Sequence, residues 1–400
     1  MLNSINISEK ISWIGVNDLR IERFENYIPV PTGVTYNSYL IEDDKTCIID
    51  GVDYNTADMF LEKVWCIIGN KDVDYIVVNH VEPDHSGGLK KILQRYPSIK
   101  IIGNNKTIGM LNSFGYQFPE GNFITVKEGD EIDLGHHKLT FVMMPMVHWP
   151  ESMSTYEKNT KTLFSNDAFG GFGGLYGGIF DDEVALCNYE FELRNYYANI
   201  VGKYGSQVLT ILKKLENVEV KCICPSHGLM WRKDVPHIMD LYRKWANFEA
   251  ENNGVVIVYG SMYGNTAKMA EMLGRELSNN GVKEVKLYDS SKTDSTFIAS
   301  EVWKYKGLLL GSCAHNMSVY PKMLPLLHKL SNYGLKNRYV SVFGTMMWSG
   351  GGVKALKEFT EKLPALEVVH EGIEVKGSPT EADFEKIQAM AKAMAKKLNS

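Results

Sequence analysis

The C-terminal part of the chain alternates short apolar runs with helical segments, and this alternation limits the folds that it can form. Apolar runs at residues 255–259, 285–288, 307–311, 339–343 and 366–370 are typical of buried strands. The segment after the first run places Met269, Leu273 and Leu277 on one helical face, and a last helix is predicted over residues 381–398. Strands that alternate with helices predict a doubly wound parallel sheet with helices on both faces.

The N-terminal part has a less regular pattern. Hairpin-like stretches at residues 11–23 and 36–50 precede strand–helix units at 75–96 and 99–114, and a β-rich stretch at 123–145 precedes helices at 191–215. This mixture predicts an α/β domain in which two sheets lie between helices. A helix predicted over residues 236–253 ends in Asn252, Asn253 and Gly254, which are typical of a helix C-terminus. Because 400 residues are too many for one ordinary core, we expect one domain at residues 1–250 and a second at residues 254–400.

Composition and charge argue against several classes of protein. The 43 basic and 48 acidic residues give a net charge of −5 without a stripe of Lys and Arg, so a nucleic-acid partner is not expected. The first residues lack the basic flank and apolar stretch of a signal peptide, and no apolar run is long enough to span a bilayer. We therefore expect a cytoplasmic protein without a membrane partner. The six cysteines form no C-x-x-C pair, which argues against an iron–sulfur or rubredoxin-type module.

Four residues with metal-binding side chains occur within six positions at the end of a predicted strand. The apolar residues 75–78 lead into His80, Glu82, Asp84 and His85, and a helical apolar stripe begins just beyond. In the alternative interpretation Asp84 only caps that helix. Nothing purely structural requires two imidazoles and two carboxylates so close together, and the run therefore indicates a metal site.

Three later segments each bring one more ligand to the end of an apolar strand. His148 follows residues 143–147, Asp167 follows residues 163–166, and His227 follows residues 222–226. Together with the first run they provide four His and three carboxylates. One ion does not need so many ligands, and we predict a centre with two metals.

A loop of small and hydroxylated residues joins the first C-terminal strand to the helix after it. Residues 260–266 (GSMYGNT) would present backbone N–H groups and a helix N-terminus to a phosphate. The loop lacks both the Gly-Lys-Ser/Thr ending of a P-loop and G-x-G-x-x-G, which disfavours a nucleoside triphosphate and a dinucleotide. Uncharged donors are suited to a monophosphate. The alternative is an ordinary Gly-rich loop without a ligand.

In this loop the sequence resembles the flavodoxin family, whose first loop binds the phosphate of FMN. The resemblance implies FMN as the cofactor and two further loops beside its ring, at the carboxyl ends of later strands. Trp348 would stack on the ring, and the pair Cys313-Ala314 stands where flavodoxin relatives often have Pro-Thr. The predicted FMN-binding residues are Ser261, Met262, Tyr263, Gly264, Asn265, Thr266, Cys313, Ala314, His315, Asn316, Thr345, Met346, Met347, Trp348, Ser349 and Gly350.

The ligand pattern resembles the metallo-β-lactamase fold, in which H-x-H-x-D-H, a later His, an Asp and a final His hold paired metals. Glu82 stands where the zinc hydrolases carry a His, and an anionic oxygen ligand favours iron or manganese over zinc. Joined to a flavodoxin-like domain, this change is the mark of the flavodiiron proteins, and the resemblance covers essentially the whole chain. The implied fold is α/β, with an N-terminal αββα metallo-β-lactamase-like sandwich and a C-terminal flavodoxin-like doubly wound parallel sheet.

The resemblance also implies a role for each ligand. One iron would bind His80, Glu82 and His148. The other would bind Asp84, His85 and His227, with Asp167 as the bridge between them. The residue that matches His85 is not bound in every member of the family.

Four further residues match the surroundings of the diiron pocket in that family. Many relatives carry a His where Glu25 stands, so Glu25 would either alter the supply of protons or be a solvated surface charge. Trp149, Tyr196 and Tyr197 match residues that pack around the ligands or donate hydrogen bonds there.

The resemblance implies an oxidoreductase that reduces dioxygen to water, nitric oxide to nitrous oxide, or both, at an oxygen-bridged pair of non-haem irons, with FMN relaying the electrons. The chain shows neither a rubredoxin domain nor a nicotinamide motif, so an external donor such as rubredoxin or a reduced deazaflavin is expected. Family members form head-to-tail homodimers, so we expect a homodimer or a dimer of dimers. Two alternatives stay open: a dinuclear zinc hydrolase with a flavodoxin domain, and a non-catalytic flavin electron carrier.

Overall fold

The computed structural model describes residues 4–119 and 121–400, and the chain divides into two compact units, Met1–Arg243 and Lys244–Ser400. In chain order up to residue 246, the strands are β1 (Ile5–Ser8), β2 (Ile11–Trp13), β3 (Val16–Asp18), β4 (Arg23–Phe24), β5 (Ile28–Pro29), β6 (Val34–Tyr36), β7 (Tyr39–Ile41), β8 (Cys47–Ile49), β9 (Tyr75–Val77), β10 (Lys100–Gly103), β11 (Phe123–Thr125), β12 (Glu131–Asp133), β13 (Lys138–Met143), β14 (Met153–Glu157), β15 (Thr162–Asn166) and β16 (Cys222–Pro225). The helices are α1 (Ala57–Ile68), α2 (Pro83–Ser86), α3 (Leu89–Arg95), α4 (Thr107–Ser113), α5 (Glu190–Tyr196), α6 (Gly205–Leu215) and α7 (Val235–Ala246).

The first unit is built on two sheets, as the sequence predicts. One sheet has the strand order β1-β2-β7-β8-β9-β10-β11, and the other has the order β12-β13-β14-β15-β16. Apolar side chains of both sheets form a single core, in which Ile49 and Val77 of the first sheet lie with Phe141 and Phe164 of the second. Strands β8 to β11 are parallel, and so are β15 and β16, so the carboxyl ends of these strands share one edge within each sheet.

The second unit contains the parallel sheet that the alternating pattern predicts. Its strands are β17 (Asn252–Gly260), β18 (Val285–Asp289), β19 (Tyr305–Cys313), β20 (Tyr339–Met346), β21 (Glu367–Val368) and β22 (Ile373–Lys376). Its helices are α8 (Asn265–Asn279), α9 (Ser295–Lys304), α10 (Leu324–Tyr333), α11 (Gly352–Glu361) and α12 (Glu381–Leu398). The strand order is β18-β17-β19-β20-β21, and β22 also pairs with β20. This order is the one that defines flavodoxin-like sheets.

The structure differs from the sequence prediction at two elements. The helix predicted over residues 236–253 is present as α7, but its predicted end is wrong, because α7 ends at Ala246 and Asn252 already pairs with Tyr305 in the sheet. A Cβ on Gly254 would lie 2.5 Å from the ring of Tyr305, so this glycine permits close packing within the sheet and is not a helix cap. The last predicted strand, 366–370, is reduced to the two residues of β21, and β22 was not predicted.

No helix within residues 4–119 and 121–400 is long and apolar enough to cross a membrane.

Candidate metal centre and flavin-binding loops

The predicted metal ligands meet at one edge of the two-sheet unit, because each follows a strand that ends there. His80 follows β9, and α2 then carries Asp84 and His85. The loop from β13 to β14 supplies His148, β15 leads into Asp167, and β16 leads into His227. The ligand atoms form two groups, and the atoms within each group lie within 4.8 Å of one another: His80, Glu82, His148 and Asp167 in the first, and Asp84, His85 and His227 in the second.

Asp167 faces both groups, one carboxylate oxygen toward each. Its Oδ2 lies 3.4 Å from Nε2 of His80 and 3.2 Å from Nε2 of His148. Its Oδ1 lies 3.1 Å from Nε2 of His85 and 3.5 Å from Nε2 of His227. This is the arrangement that a carboxylate bridge between two cations requires.

Each group also has a carboxylate of its own. Oε2 of Glu82 lies 3.2 Å from Nε2 of His80 and 3.0 Å from Nε2 of His148. Oδ2 of Asp84 lies 3.1 Å from Nε2 of His227 and 3.4 Å from Nε2 of His85. The structure thus brings all seven predicted ligands together, and His85 is placed like the other three imidazoles.

The donor set fits metal cations. Among the described residues, both oxygens of Asp84, Oδ2 of Asp167 and Nε2 of His227 are buried without a hydrogen-bond partner, although Asp84 and His227 are 3.1 Å apart. Buried charges need a partner, and a cation held among these atoms would provide it.

The charges of the pocket stabilise one another. Burial alone would lower the pKa of an imidazole, but hydrogen bonds with neighbouring carboxylates outweigh it and raise the pKa of His80 and of His148 to about 10. Burial opposes ionisation of the carboxylates, but hydrogen bonds with His148 and His80 hold the pKa of Glu82 below its usual range, and the charge of His85 does the same for Asp167. Carboxylates that stay ionised in a buried pocket are suitable ligands for a cation.

The sequence did not single out two groups that orient ligand imidazoles. Oε1 of Glu151, a residue with 1% of its surface exposed, lies 2.6 Å from Nδ1 of His80. The main-chain oxygen of Thr35 lies 2.6 Å from Nδ1 of His227. In each case an acceptor holds a proton on Nδ1 and leaves the Nε2 lone pair for a metal.

Glu25 and Trp149 lie beside the first group of ligands. Glu25 is on the turn between β4 and β5, where it has a φ of 46°. The residue is largely exposed, while desolvation of its carboxyl group and the charge of neighbouring Glu82 raise its pKa to about 7. The Trp149 ring stands edge-on to His80, with 5.0 Å between the ring centroids.

The two predicted tyrosines have different surroundings. The Tyr196 ring lies 5.5 Å from the ring of His227, and burial together with the charge of Asp167 raises the pKa of its hydroxyl well above the usual range. The Tyr197 ring packs against Tyr242 at 5.0 Å, and burial raises its pKa. Tyr196 is therefore the one of the pair beside the ligands.

The predicted flavin loops surround one cavity at the carboxyl ends of β17, β19 and β20. The cavity has a volume of about 350 Å³, within the range of cofactor sites. Of the predicted residues, Ser261, Met262, Tyr263, Asn265, Cys313, Ala314, Asn316, Thr345, Met346, Met347, Trp348 and Ser349 line it. Met317 and Gly377 line it as well, although the sequence prediction did not include them.

Four predicted flavin residues contribute to the loops without lining the cavity. The hydroxyl of Thr266 lies 2.8 Å from that of Thr345, and Gly264 starts α8 with a φ of 88°. His315 pairs through its main chain with Ser318, and a Cβ on Gly350 would meet Glu374 at 3.0 Å. The loops fit FMN, because neutral hydroxyl and N–H donors lie at the N-terminus of α8 and aromatic side chains stand on the rim.

Comparison with known proteins agrees with this geometry. The family model described as ODP family beta lactamase matches residues 34–228, and the flavodoxin model matches residues 257–389. A Vibrio vulnificus protein named anaerobic nitric oxide reductase flavorubredoxin is 34% identical over 355 residues, which cover 88% of this chain and 71% of that protein. An uncharacterized protein of Methanocaldococcus jannaschii is 36% identical over 399 residues, 99% of each chain.

Solved structures match over nearly the whole chain. The rubredoxin oxygen:oxidoreductase of Desulfovibrio gigas has a TM-score of 0.93 at 30% identity and covers 99% of both chains. The flavodiiron protein of Giardia intestinalis has a TM-score of 0.94 at 26% identity, covering 100% of this chain and 97% of its own. The predicted fold class is confirmed, the flavodoxin domain implies FMN, and the His and carboxylate cluster is consistent with a diiron site. The chain belongs to the flavodiiron protein family, whose members are oxidoreductases.

Proposed function

We propose that this protein reduces dioxygen to water, nitric oxide to nitrous oxide, or both. In this proposal residues 1–250 hold two irons and residues 254–400 hold FMN. The observation that carries it is the position of Asp167, which turns one oxygen toward each group of ligands, with Glu82 in one group and Asp84 in the other. A pocket rich in carboxylates favours iron over the zinc of the hydrolases.

When bound, two ferrous ions and reduced FMN would together supply the four electrons that reduce O2 to two waters, or the two that convert two NO to N2O and water. The chain's own residues hold the ligand geometry. Glu151 and the Thr35 carbonyl fix the ring orientation of His80 and His227. The hydroxyl of Tyr196 keeps its proton beside Asp167, and the ring of Trp149 packs edge-on against His80.

The names of two relatives support both gases as substrates. The Vibrio vulnificus relative is named a nitric oxide reductase, and the Desulfovibrio gigas structure is named a rubredoxin oxygen:oxidoreductase. The second name also supports an external electron donor, for which we propose rubredoxin or a reduced deazaflavin.

Exposed apolar side chains around the flavin cavity support a partner subunit. Tyr263 is 89% exposed, Trp348 84%, Met317 70% and Met347 64%, and all four line the cavity. An apolar rim of this kind marks an interaction surface. We propose that a second copy covers it in a head-to-tail homodimer, alone or within a dimer of dimers, and that electrons pass from the FMN of one subunit to the metals of the other.

The proposal is tested by metal and flavin analysis followed by consumption of each gas by chemically reduced protein in a gas electrode. We expect two irons and one FMN per chain and repeated turnover with at least one gas. Asp167→Asn should lower metal content and gas consumption while FMN stays bound. The control Asp58→Asn removes a carboxylate whose side chain is 80% exposed and should change neither.

The two alternatives give different results in the same experiments. Two zinc ions per chain with hydrolase activity would identify a zinc enzyme instead. An electron carrier would be reoxidised slowly after photoreduction, without repeated consumption of O2 or NO.

A further inference from the structure

The imidazoles of the proposed metal centre differ in the partner of Nδ1, the ring nitrogen that faces away from the other ligand atoms. His80 faces the carboxylate of Glu151 through Nδ1 at 2.6 Å. His227 faces only a main-chain carbonyl, that of Thr35, at 2.6 Å. Nδ1 of His85 is buried and has no hydrogen-bond partner among the described residues. Of the two contacts, to His80 and to His227, the one to His80 brings a negative charge.

Glu151 is held firmly in this position. The Oε1 atom that faces His80 also accepts the main-chain N–H of Val81 at 3.0 Å. The main-chain oxygen of Glu151 accepts a hydrogen bond from the side chain of Asn104.

Among residues 4–119 and 121–400, no comparable carboxylate is hydrogen-bonded to Nδ1 of His85 or of His227. Asp50 is the buried acid whose charge acts on His85, but both its oxygens accept hydrogen bonds from Asn79, at 2.7 Å from the main-chain N–H and 2.8 Å from the side chain. Both oxygens of Asp50 are therefore hydrogen-bonded to Asn79 and not to the imidazole of a ligand.

We propose that the two metal positions are unequal and that Glu151 is the positioning residue that makes them so. The position of His80, Glu82 and His148 binds its ion first and more tightly, and the position of Asp84, His85 and His227 fills second. A carboxylate bonded to the far nitrogen of a ligand imidazole fixes the ring and makes the metal-binding nitrogen more basic, whereas a carbonyl does so more weakly. This inference rests on the metal centre of the proposed function.

The test is a titration of metal-depleted, FMN-containing protein with Co(II) in the presence of a competing chelator, which yields two dissociation constants. Glu151→Gln keeps the shape of the side chain and removes its charge. We expect the first dissociation constant to rise by roughly 10- to 100-fold while the second stays unchanged. The matched control is Glu157→Gln, which removes a carboxylate with 0% exposure that accepts the main-chain N–H groups of Asn159 and Thr160.

The outcomes separate this inference from the proposed function. If Glu151→Gln changes neither constant, changes both equally, or acts no more strongly than Glu157→Gln, the inference is wrong even though two ions bind. If the wild-type chain binds no metal, the proposed function itself fails.

A second measurement needs no variant. Crystals of the metal-depleted protein given one equivalent of Co(II) should show the anomalous peak at the His80 side of Asp167. A peak at the His227 side, or equal peaks at both, would overturn the inference.

Discussion

Gly228 has no room for a side chain, and this makes the position of His227 open to a quantitative test. A Cβ on Gly228 would lie 1.8 Å from the hydroxyl oxygen of Tyr189 and 2.8 Å from the main-chain oxygen of Gly171. Gly228 also has a φ of +73°, a backbone conformation that residues other than glycine adopt at a cost of ~1–2 kcal/mol. Overpacking adds ~1–3 kcal/mol, so Gly228→Ala should destabilise the protein by about 2–5 kcal/mol.

Two further variants separate the backbone cost from the steric cost. Gly334 lies in the left-handed region with a φ of +64° and has nothing within 4 Å of its Cβ position, so Gly334→Ala measures the backbone cost alone. Tyr189→Phe removes the oxygen that clashes at Gly228. By itself it should cost ~1 kcal/mol, because the Tyr189 hydroxyl accepts the N–H of Leu229 at 3.3 Å.

The assay is urea unfolding of the wild type, the three single variants and the double variant Gly228→Ala/Tyr189→Phe, together with measurement of their metal content. In the double variant, Tyr189→Phe should recover ~1–3 kcal/mol of the loss caused by Gly228→Ala, since the two residues then no longer collide. Metal content should fall in Gly228→Ala, because relief of the clash displaces the adjacent His227, and it should recover in the double variant. If Gly228→Ala costs no more than Gly334→Ala, or if the effects of Gly228→Ala and Tyr189→Phe are simply additive, the steric argument is refuted.

Three other outcomes follow from the structure. Trp348→Ala should raise the Kd of FMN by roughly 2- to 10-fold in a fluorescence titration, because it removes the ring proposed to stack on the flavin. The control Trp65→Ala removes another exposed Trp and should leave the Kd unchanged. Equal effects of the two variants would contradict stacking. Burial lowers the pKa of Lys63 to about 8, so above that pH the unfolded chain binds more protons than the folded one. The free energy of unfolding of the wild type, relative to that of Lys63→Met, should therefore increase by up to ~3 kcal/mol between pH 8 and 10.5. A difference that does not change with pH would exclude the lowered pKa. A thiol reagent should modify Cys66 and Cys187 rapidly in the native protein and the four buried thiols only after unfolding, and rapid modification of more than two would contradict their burial.

The sequence predicts most of this fold because its patterns are local. Alternation of strands and helices in the second unit leads directly to a parallel sheet, and α12 occupies residues 381–398 as predicted. The wrong helix end at Gly254 shows the limit of local patterns. A glycine after two asparagines is typical of a helix C-terminus, but its actual role is to make room for Tyr305, which is distant in the sequence.

That the candidate metal ligands lie close together could be predicted for a similar reason, whereas the groups that contact their far nitrogens could not. A ligand at the end of a strand is visible in the sequence, because parallel strands bring their carboxyl ends to one edge. Thr35 acts through its main-chain oxygen, which every residue type possesses, so no sequence signal marks it. Met317 lies beside the predicted flavin residue Asn316, but only the shape of the loop turns it to the cavity.

Glu151 shows why the sequence can indicate candidate ligands but not which of the two metal positions binds its ion more tightly. It lies three residues after the predicted ligand His148, but its partner is His80, 71 residues away in the chain. The type of residue suggests another ligand, whereas its Oε1 points to the far nitrogen of an imidazole and to the N–H of Val81. A carboxylate there changes the strength of a metal site without joining it. The order in which the two positions fill therefore depends on a contact that only the three-dimensional structure reveals.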